Sequence, residues 1–334
     1  MATESAPANS ETPVTTQVAQ AILFRELHHR PDMLVLPNVW DVGGAVLVSQ
    51  VAGVQAIATT SAGIAAAAGF GDGEHLGLDR LLDLVGQITR ATRLPVSVDL
   101  ESGYGRTAEE VGRSVAAIIE AGAVGVNLED AIATEPGALL DSDAHAERIA
   151  AAREAADRLG VPIVVNARTD VYWRSSGPAA GRFAETLRRL RIYAAAGADC
   201  VFVPGFPGPA TADVDQHAAI GELVQQLGGV PVNLLADPGL PSIADLRALG
   251  VRRLSTGSAL YRLSMAAVLD AVSRMTDSRM TDGRMTDGRK TEGRITNGGS
   301  LDALRGAQRL AYPDLADALA RAGSPLDSAR SETR

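Results

Sequence analysis

From about residue 34 to residue 256, short β-branched runs alternate with longer Ala/Leu/Arg-rich segments that carry the periodicity of helices. Eight strands are predicted, at 34–37, 56–60, 96–99, 125–128, 163–167, 200–203, 230–234 and 253–256. Between them lie helical patterns, among them 78–92, 108–121, 144–159, 182–196, 218–227 and 243–249. This alternation points to a parallel sheet with helical crossovers. Several helices end in a glycine that introduces the next strand, as in Ala121-Gly-Ala123 and Leu159-Gly-Val161, where a left-handed C-cap suits a residue without Cβ. Eight strands at this spacing fit a closed (β/α)8 barrel, an α/β fold, better than an open doubly wound sheet.

The flanks break the pattern. Residues 1–17 are Ser/Thr/Pro-rich, without the basic and apolar regions of a signal peptide, and read as a disordered tail before a barrel domain at 18–272. Residues 273–300 hold a five-residue repeat, Arg279-Met-Thr-Asp-Gly and its variants. A period of five matches neither helix nor strand, so this stretch is expected to be a solvated low-complexity insert. A last helical segment near 315–322, within 301–334, follows it and could pack on its own barrel or on a neighbour's.

Composition narrows the function. Of 334 residues, 46% are hydrophobic but only 4% aromatic, so Ala, Val, Leu and Ile must fill the core. The net charge of −9 argues against nucleic acid as a partner. No apolar run reaches the roughly 20 residues of a membrane span, so no membrane role is expected. The single cysteine, Cys200, fits a reducing cytoplasm and begins a predicted strand, where it reads as core. The only lysine is Lys290, in the repeat, which leaves no amine for Schiff-base chemistry in a packed pocket.

The most informative stretch is Asp99-Leu-Glu101-Ser-Gly-Tyr-Gly105. Residues two apart on a strand face the same side, so Asp99 and Glu101 are expected to project together at a strand end. The next strand ends in Glu129-Asp130 and brings Glu129 near them on the C-terminal rim, where barrel active sites lie. Neighbouring anions call for a cation between them, and oxygen-only ligands favour Mg²⁺ or Mn²⁺ over Zn²⁺. Two other readings compete. The acids could cap helices, which would account for Asp130 or Ser102 but not for two same-face strand positions. Gly103-Tyr-Gly-Arg-Thr-Ala108 also fits a dinucleotide fingerprint, but a pyrophosphate there would meet two carboxylates. Other rim positions include Trp40, Thr60, Asp72, Asn233, 255–258 and Arg168, whose guanidinium could clamp a carboxylate. Tyr104 is a candidate proton donor; His75, in the loop after Asp72, is a weaker one. His28, His29, His145 and His217 lie in predicted helices and read as surface residues.

With Asn38-Val-Trp-Asp41, Thr60-Ser-Ala-Gly63, Gly69–Asp72, Leu128-Glu-Asp130 and Ala167-Arg-Thr-Asp170 in this order, the chain resembles the isocitrate lyase / phosphoenolpyruvate mutase superfamily over roughly residues 35–263. The resemblance implies a barrel whose C-terminal helix is swapped between subunits of a homodimer or homotetramer. It implies that Asp99 binds Mg²⁺ directly, that Glu101 and Glu129 hold it mainly through water, and that Asp72 completes the acidic shell. Thr60, Ser61 and Ala62 would offer backbone N–H groups to a substrate carboxylate, with Arg168 and Asn233 also facing it. The implied chemistry is lyase or decarboxylase cleavage of a small 2-oxo or 2-hydroxy acid through an enolate, or reaction at phosphorus. The chain departs from the family in residues 131–141, Ala-Ile-Ala-Thr-Glu-Pro-Gly-Ala-Leu-Leu-Asp, which lack the Lys-(Lys/Arg)-Cys-Gly-His of the lyases and the Lys-Thr-Asn of the mutases. Pro204 stands where those mutases carry a histidine.

Overall fold

The computed structural model describes residues 13–132, 134–135, 137–208 and 215–276. Nine strands form one parallel sheet: β1 (Leu34–Leu36), β2 (Asn38–Val39), β3 (Ile57–Thr59), β4 (Val96–Asp99), β5 (Gly125–Glu129), β6 (Val164–Arg168), β7 (Cys200–Val203), β8 (Val232–Leu235) and β9 (Arg253–Ser255). The two ends of this sheet are β1 and β2, which are consecutive in the chain. β1 pairs with β9 and β2 with β3, so they are two halves of one stave broken at Pro37. Proline has no N–H for a ladder, but its carbonyl still accepts from Ala58 N at 3.0 Å. The sheet thereby closes into the predicted eight-stave barrel.

Around it lie α1 (Pro13–Leu27), α2 (Val42–Ser49), α3 (Ser61–Ala67), α4 (Leu78–Ala91), α5 (Ala108–Glu120), α6 (Ser142–Leu159), α7 (Arg182–Ala195), α8 (Gln216–Gln226), α9 (Ile243–Ala248) and α10 (Ala259–Thr276). Local chemistry sets their ends. Thr107 and Glu110 form a capping box at the start of α5, and Gly160 takes the left-handed conformation at the end of α6. Leu81, Val115, Ile149 and Leu190 on successive helices bury against the outer faces of the staves, where most of the core sits.

Three expectations change. Residues 13–17, read as tail, open α1; Gln17 ties them down by donating to the carbonyls of Ile119 and Ala123. Helix α10 runs to Thr276, four residues into the stretch assigned to the repeat. His28 and His145 are buried, His28 with Nδ1 2.7 Å from the Phe24 carbonyl and His145 edge-on to Tyr193 at 4.7 Å. The rest of the repeat and the helix expected to swap lie outside the described residues.

Helix α1 also closes the N-terminal end of the barrel. Phe24 is fully buried, and a Cβ on Gly125 would lie 2.7 Å from its ring. Above this floor, Ser97, Asn127, Asn166, Asn233 and Arg253 are all buried. Barrels of this kind are ordinarily filled by branched apolar residues, so a polar middle level marks the interior as part of a site.

Candidate active site

Asp99 ends β4 and is the centre of the site. Its N–H donates to Thr59 Oγ1 at 2.9 Å, its Oδ1 accepts from Asn127 Nδ2 at 3.0 Å, and its Oδ2 accepts from Ser61 N at 3.0 Å. Asn127, opposite Asp99 in β5, is fixed in turn by Asn166 Nδ2 at 2.7 Å. Three staves and the start of α3 thus hold one carboxylate in place.

Glu101 reaches the same region by another route than expected. The strand ends at Asp99, and Glu101 lies in a turn at φ 52°, so strand alternation does not orient it. Its Oε2 accepts from the N–H groups of Gly73 and Glu74 at 2.8 and 2.7 Å, and its Oε1 from the Tyr104 hydroxyl at 2.8 Å. Burial, then the charges of Asp99 and Asp72, push its pKa up to about 7. Glu129, buried at the end of β5, pairs with Arg168 Nη1 at 2.8 Å. Burial holds its carboxyl well above the usual range, against the pull of Arg168. Asp72 is exposed as a residue, but its carboxyl faces the cavity; loss of water there and the Asp99 charge raise its pKa.

A cavity of about 100 Å³ opens beside Asp99. Of the predicted residues, Thr60, Ser61, Ala62, Asp72, Asp99 and Arg168 line it. Trp40, Tyr104, Glu101, Glu129 and Asn233 stand behind that lining. Trp40 packs edge-on against Tyr261 at 5.3 Å, and Asn233 Oδ1 accepts from the Ser255 hydroxyl at 3.1 Å. Tyr104, with its hydroxyl on Glu101 and its N–H on Glu74 Oε1, is a positioning residue in this geometry.

Two expected carboxylate clamps are already engaged. Arg168 gives Nε and Nη2 to Asp170 at 2.5 and 2.9 Å and Nη1 to Glu129. The Thr60 N–H goes to the Val39 carbonyl and that of Ser61 to Asp99, which leaves Ala62's. Asp130 is no helix cap. It is fully buried and accepts from Asp170 N, Thr169 Oγ1, Arg189 Nη1 and the Tyr193 hydroxyl at 2.9, 2.7, 3.0 and 2.7 Å. Through Arg189 Nη1 on the Leu140 carbonyl and its own carbonyl on Leu140 N, it anchors the loop from β5 to α6.

Residues that the sequence reading passed over are Asn127, Trp173 and Arg253, all lining the cavity. Asn127 sits at the middle of the otherwise apolar start of β5, which was the available signal; Arg253 opens β9 beside Arg252 and gave none. Trp173 lies in a loop and gave none. As donors for an ion, the site offers carboxylates alone. Among the described residues no three Asp, Glu, His or Cys side chains approach closely enough to hold a metal by direct ligation. Burial first, and then the charge of Asp99, raise the pKa values of Asp72, Glu101 and Glu129; such a gathering of acids fits an oxygen-seeking dication held by Asp99 with water between it and the others.

Comparison with known proteins identifies the family. A crystal structure from Burkholderia cenocepacia J2315, provisionally named a phosphonomutase, is 41% identical over 77% of this chain and 98% of its own, with a TM-score of 0.70. An oxaloacetate decarboxylase of Paraburkholderia xenovorans is 26% identical over 75% of this chain and 80% of its own. A phosphonopyruvate hydrolase structure in complex with oxalate and Mg²⁺ is 25% identical, covers 77% of this chain and 86% of its own, and has a TM-score of 0.65. The phosphoenolpyruvate phosphomutase family model matches residues 24–276, the whole barrel, and the chain therefore belongs to that family, within the isocitrate lyase / phosphoenolpyruvate mutase superfamily of enzymes.

Proposed function

We propose that this protein is a Mg²⁺-dependent lyase or decarboxylase that cleaves a C–C bond in a small 2-oxo or 2-hydroxy carboxylate. The carrying observation is Asp99: a carboxylate with each oxygen held by one donor, facing a small cavity and surrounded by further acids. Mg²⁺ held by Asp99, with Glu101 and Glu129 behind it, would stabilise negative charge that develops on a substrate oxygen only as the bond breaks. The protein's own groups divide the remaining work. Ser61 N and Asn127 fix Asp99, Tyr104 fixes Glu101, and Arg168 fixes Glu129. Asp72 lines the cavity beside Asp99 and is the group placed to exchange a proton with the substrate carbon; burial and the Asp99 charge raise its pKa. The oxaloacetate decarboxylase relative supports this reading.

A second reading, chemistry at phosphorus, is favoured by the phosphonopyruvate hydrolase neighbour. Incubation with oxaloacetate, 2-methylisocitrate, phosphonopyruvate and phosphoenolpyruvate in turn, with Mg²⁺, separates the two by product. Turnover of phosphonopyruvate alone overturns the C–C reading, and carboxylate binding without turnover of any of the four marks a non-catalytic barrel. Asp99→Ala is expected to abolish Mg²⁺-dependent turnover with little loss of folding, since it removes one of several repelling anions; equal activity in excess EDTA refutes the metal.

The large apolar residues exposed on α10, Leu263 and Leu269 at 66% each and Val268 and Val272 beside them, support a homo-oligomer in which this face is covered. We extend the proposal to a dimer or tetramer with helix exchange.

A further inference from the structure

The inner end of the cavity holds a buried cation that has no ion-pair partner among the described residues, Asp99 acting on it only from a distance. Arg253, in β9, is 2% exposed and lines the cavity together with Ser97, Asn127 and Asp99. Its Nε donates to the Ser255 hydroxyl at 3.0 Å, while its Nη1 is buried without a protein partner. Among the described residues it forms no ion pair, and the Phe24 ring lies on one side of it, 6.0 Å from the guanidinium. Burial draws its pKa down to about 10, which leaves it charged at neutral pH. Asn233, its register partner in β8, is fully buried and holds a second donor with no protein partner, Nδ2.

A buried guanidinium without a paired counter-charge is strongly unfavourable, and two orphan donors on adjacent strands each call for an acceptor. The other cation of the cavity is differently placed. Arg168 has three nitrogens committed to Asp170 and Glu129, and two of the three N–H groups at 60–62 are spent within the protein. The uncommitted charged donor is therefore Arg253. The planar fork of a guanidinium matches the two oxygens of a carboxylate. At about 100 Å³ the cavity suits an acid of a few carbons.

We propose that Arg253, backed by Asn233, binds a second carboxylate of the substrate inside the barrel and makes the site selective for small dicarboxylic over monocarboxylic acids. This rests on the reading of the cavity as the substrate site. The test is calorimetric titration, at fixed Mg²⁺, of succinate and of its monoamide succinamate, which keeps the shape and loses one charge. Wild type is expected to bind succinate at least tenfold more tightly. Arg253→Gln is expected to bring that ratio to about one, leaving succinamate within threefold of its wild-type affinity. Arg253→Lys keeps the charge but not the fork; it should weaken succinate at least threefold, and it decides the matter if the Gln variant does not fold. A wild-type ratio near one, or a ratio unchanged in a folded Arg253→Gln variant, overturns the proposal and leaves metal-dependent turnover untouched. If wild type binds neither acid, the cavity reading fails and this proposal with it.

Discussion

The buried carboxylate of Asp130 offers the most direct test of how this site is held together. Asp130→Ala removes the acceptor of four hydrogen bonds, from Asp170 N, Thr169, Arg189 and Tyr193. Thr169 and Tyr193 are fully buried, so neither hydroxyl regains water. Arg189 is less exposed to loss, because its Nε keeps Glu185 at 2.7 Å and its Nη1 keeps the Leu140 carbonyl at 2.8 Å. Removing one partner of a buried, hydrogen-bonded ion pair costs about 3–5 kcal/mol, and the Glu185 contact places Asp130→Ala toward the lower end. Asp130→Asn is milder, at about 2 kcal/mol. The two hydroxyls can rotate and accept from its amide, but the guanidinium cannot. In urea, with m near 2 kcal/mol/M, the midpoint should fall by about 1.5–2 M for Ala and about 1 M for Asn, with m unchanged. The loop from β5 to α6 should loosen with it, since Leu140 is tied to both Asp130 and Arg189. Amide exchange at Leu140 reads that directly. An Asp130→Asn variant within 0.3 M of wild type, or one with Leu140 equally protected, would refute the assignment of Asp130 as the anchor.

Three further outcomes follow from other parts of the fold. His28 and His145 are buried with pKa values lowered to about 3, chiefly by burial, whereas the unfolded chain takes these protons near 6.5. The histidines' contribution is therefore retained above pH 6.5 and lost as pH falls toward 3, by about 3 kcal/mol per histidine at pH 4.5. Because the raised carboxyl of Glu101 gains stability over the same range, the check is the Tm change between pH 7 and 4.5 in a His28→Gln, His145→Gln variant, and a change equal to that of wild type contradicts it. Gly103→Ala is expected to cost 2 kcal/mol or more and to lower turnover by displacing Tyr104 and Glu101, because Gly103 sits at φ 105° and a Cβ would meet Val111 Cγ1 at 2.7 Å; denaturation and kinetics measure both. Leu263→Asp with Leu269→Asp should shift the mass seen by light scattering from oligomer to monomer, and an unchanged mass removes α10 from the interface.

The barrel was legible because its staves and helices repeat a pattern whose period is local. Break points were not. Pro37 splits a stave only because each half finds a different neighbour, a matter of closure and not of sequence. Glu101 was found for an incomplete reason. The acids at 99 and 101 do share a site, but a left-handed turn and two backbone N–H groups from the loop at Gly73 and Glu74 bring Glu101 there. His145 looked exposed because α6 is rich in polar residues. Its face of the helix is covered by Tyr193, which lies 48 positions further along the chain and is invisible to helical periodicity.

The same limit explains Arg253, which opens the strand predicted at 253–256 beside a second arginine, with nothing local to say which of the two turns inward. Its neighbour Arg252 follows the usual rule, while Arg253 falls on the inward register of β9, level with Asn233 and followed by Ser255. Taken stave by stave, the inward positions repeat a polar residue where a packed barrel would place a branched one: Ser97, Asn127, Asn166, Asn233, Arg253. Such a level weakens the core, because amides and a guanidinium exclude less water and must each find a partner. The Asn166 and Asn127 amide groups donate in a chain that ends on Asp99; Arg253 Nη1 and Asn233 Nδ2 find no acceptor. The interior is thus divided, with one half spent on holding the acidic centre still and the other left with donors to offer. A barrel selected for stability alone would have no reason to keep the second half polar, which is why the ligand specificity of this protein is expected to lie in β8 and β9 and not in the loop after β5.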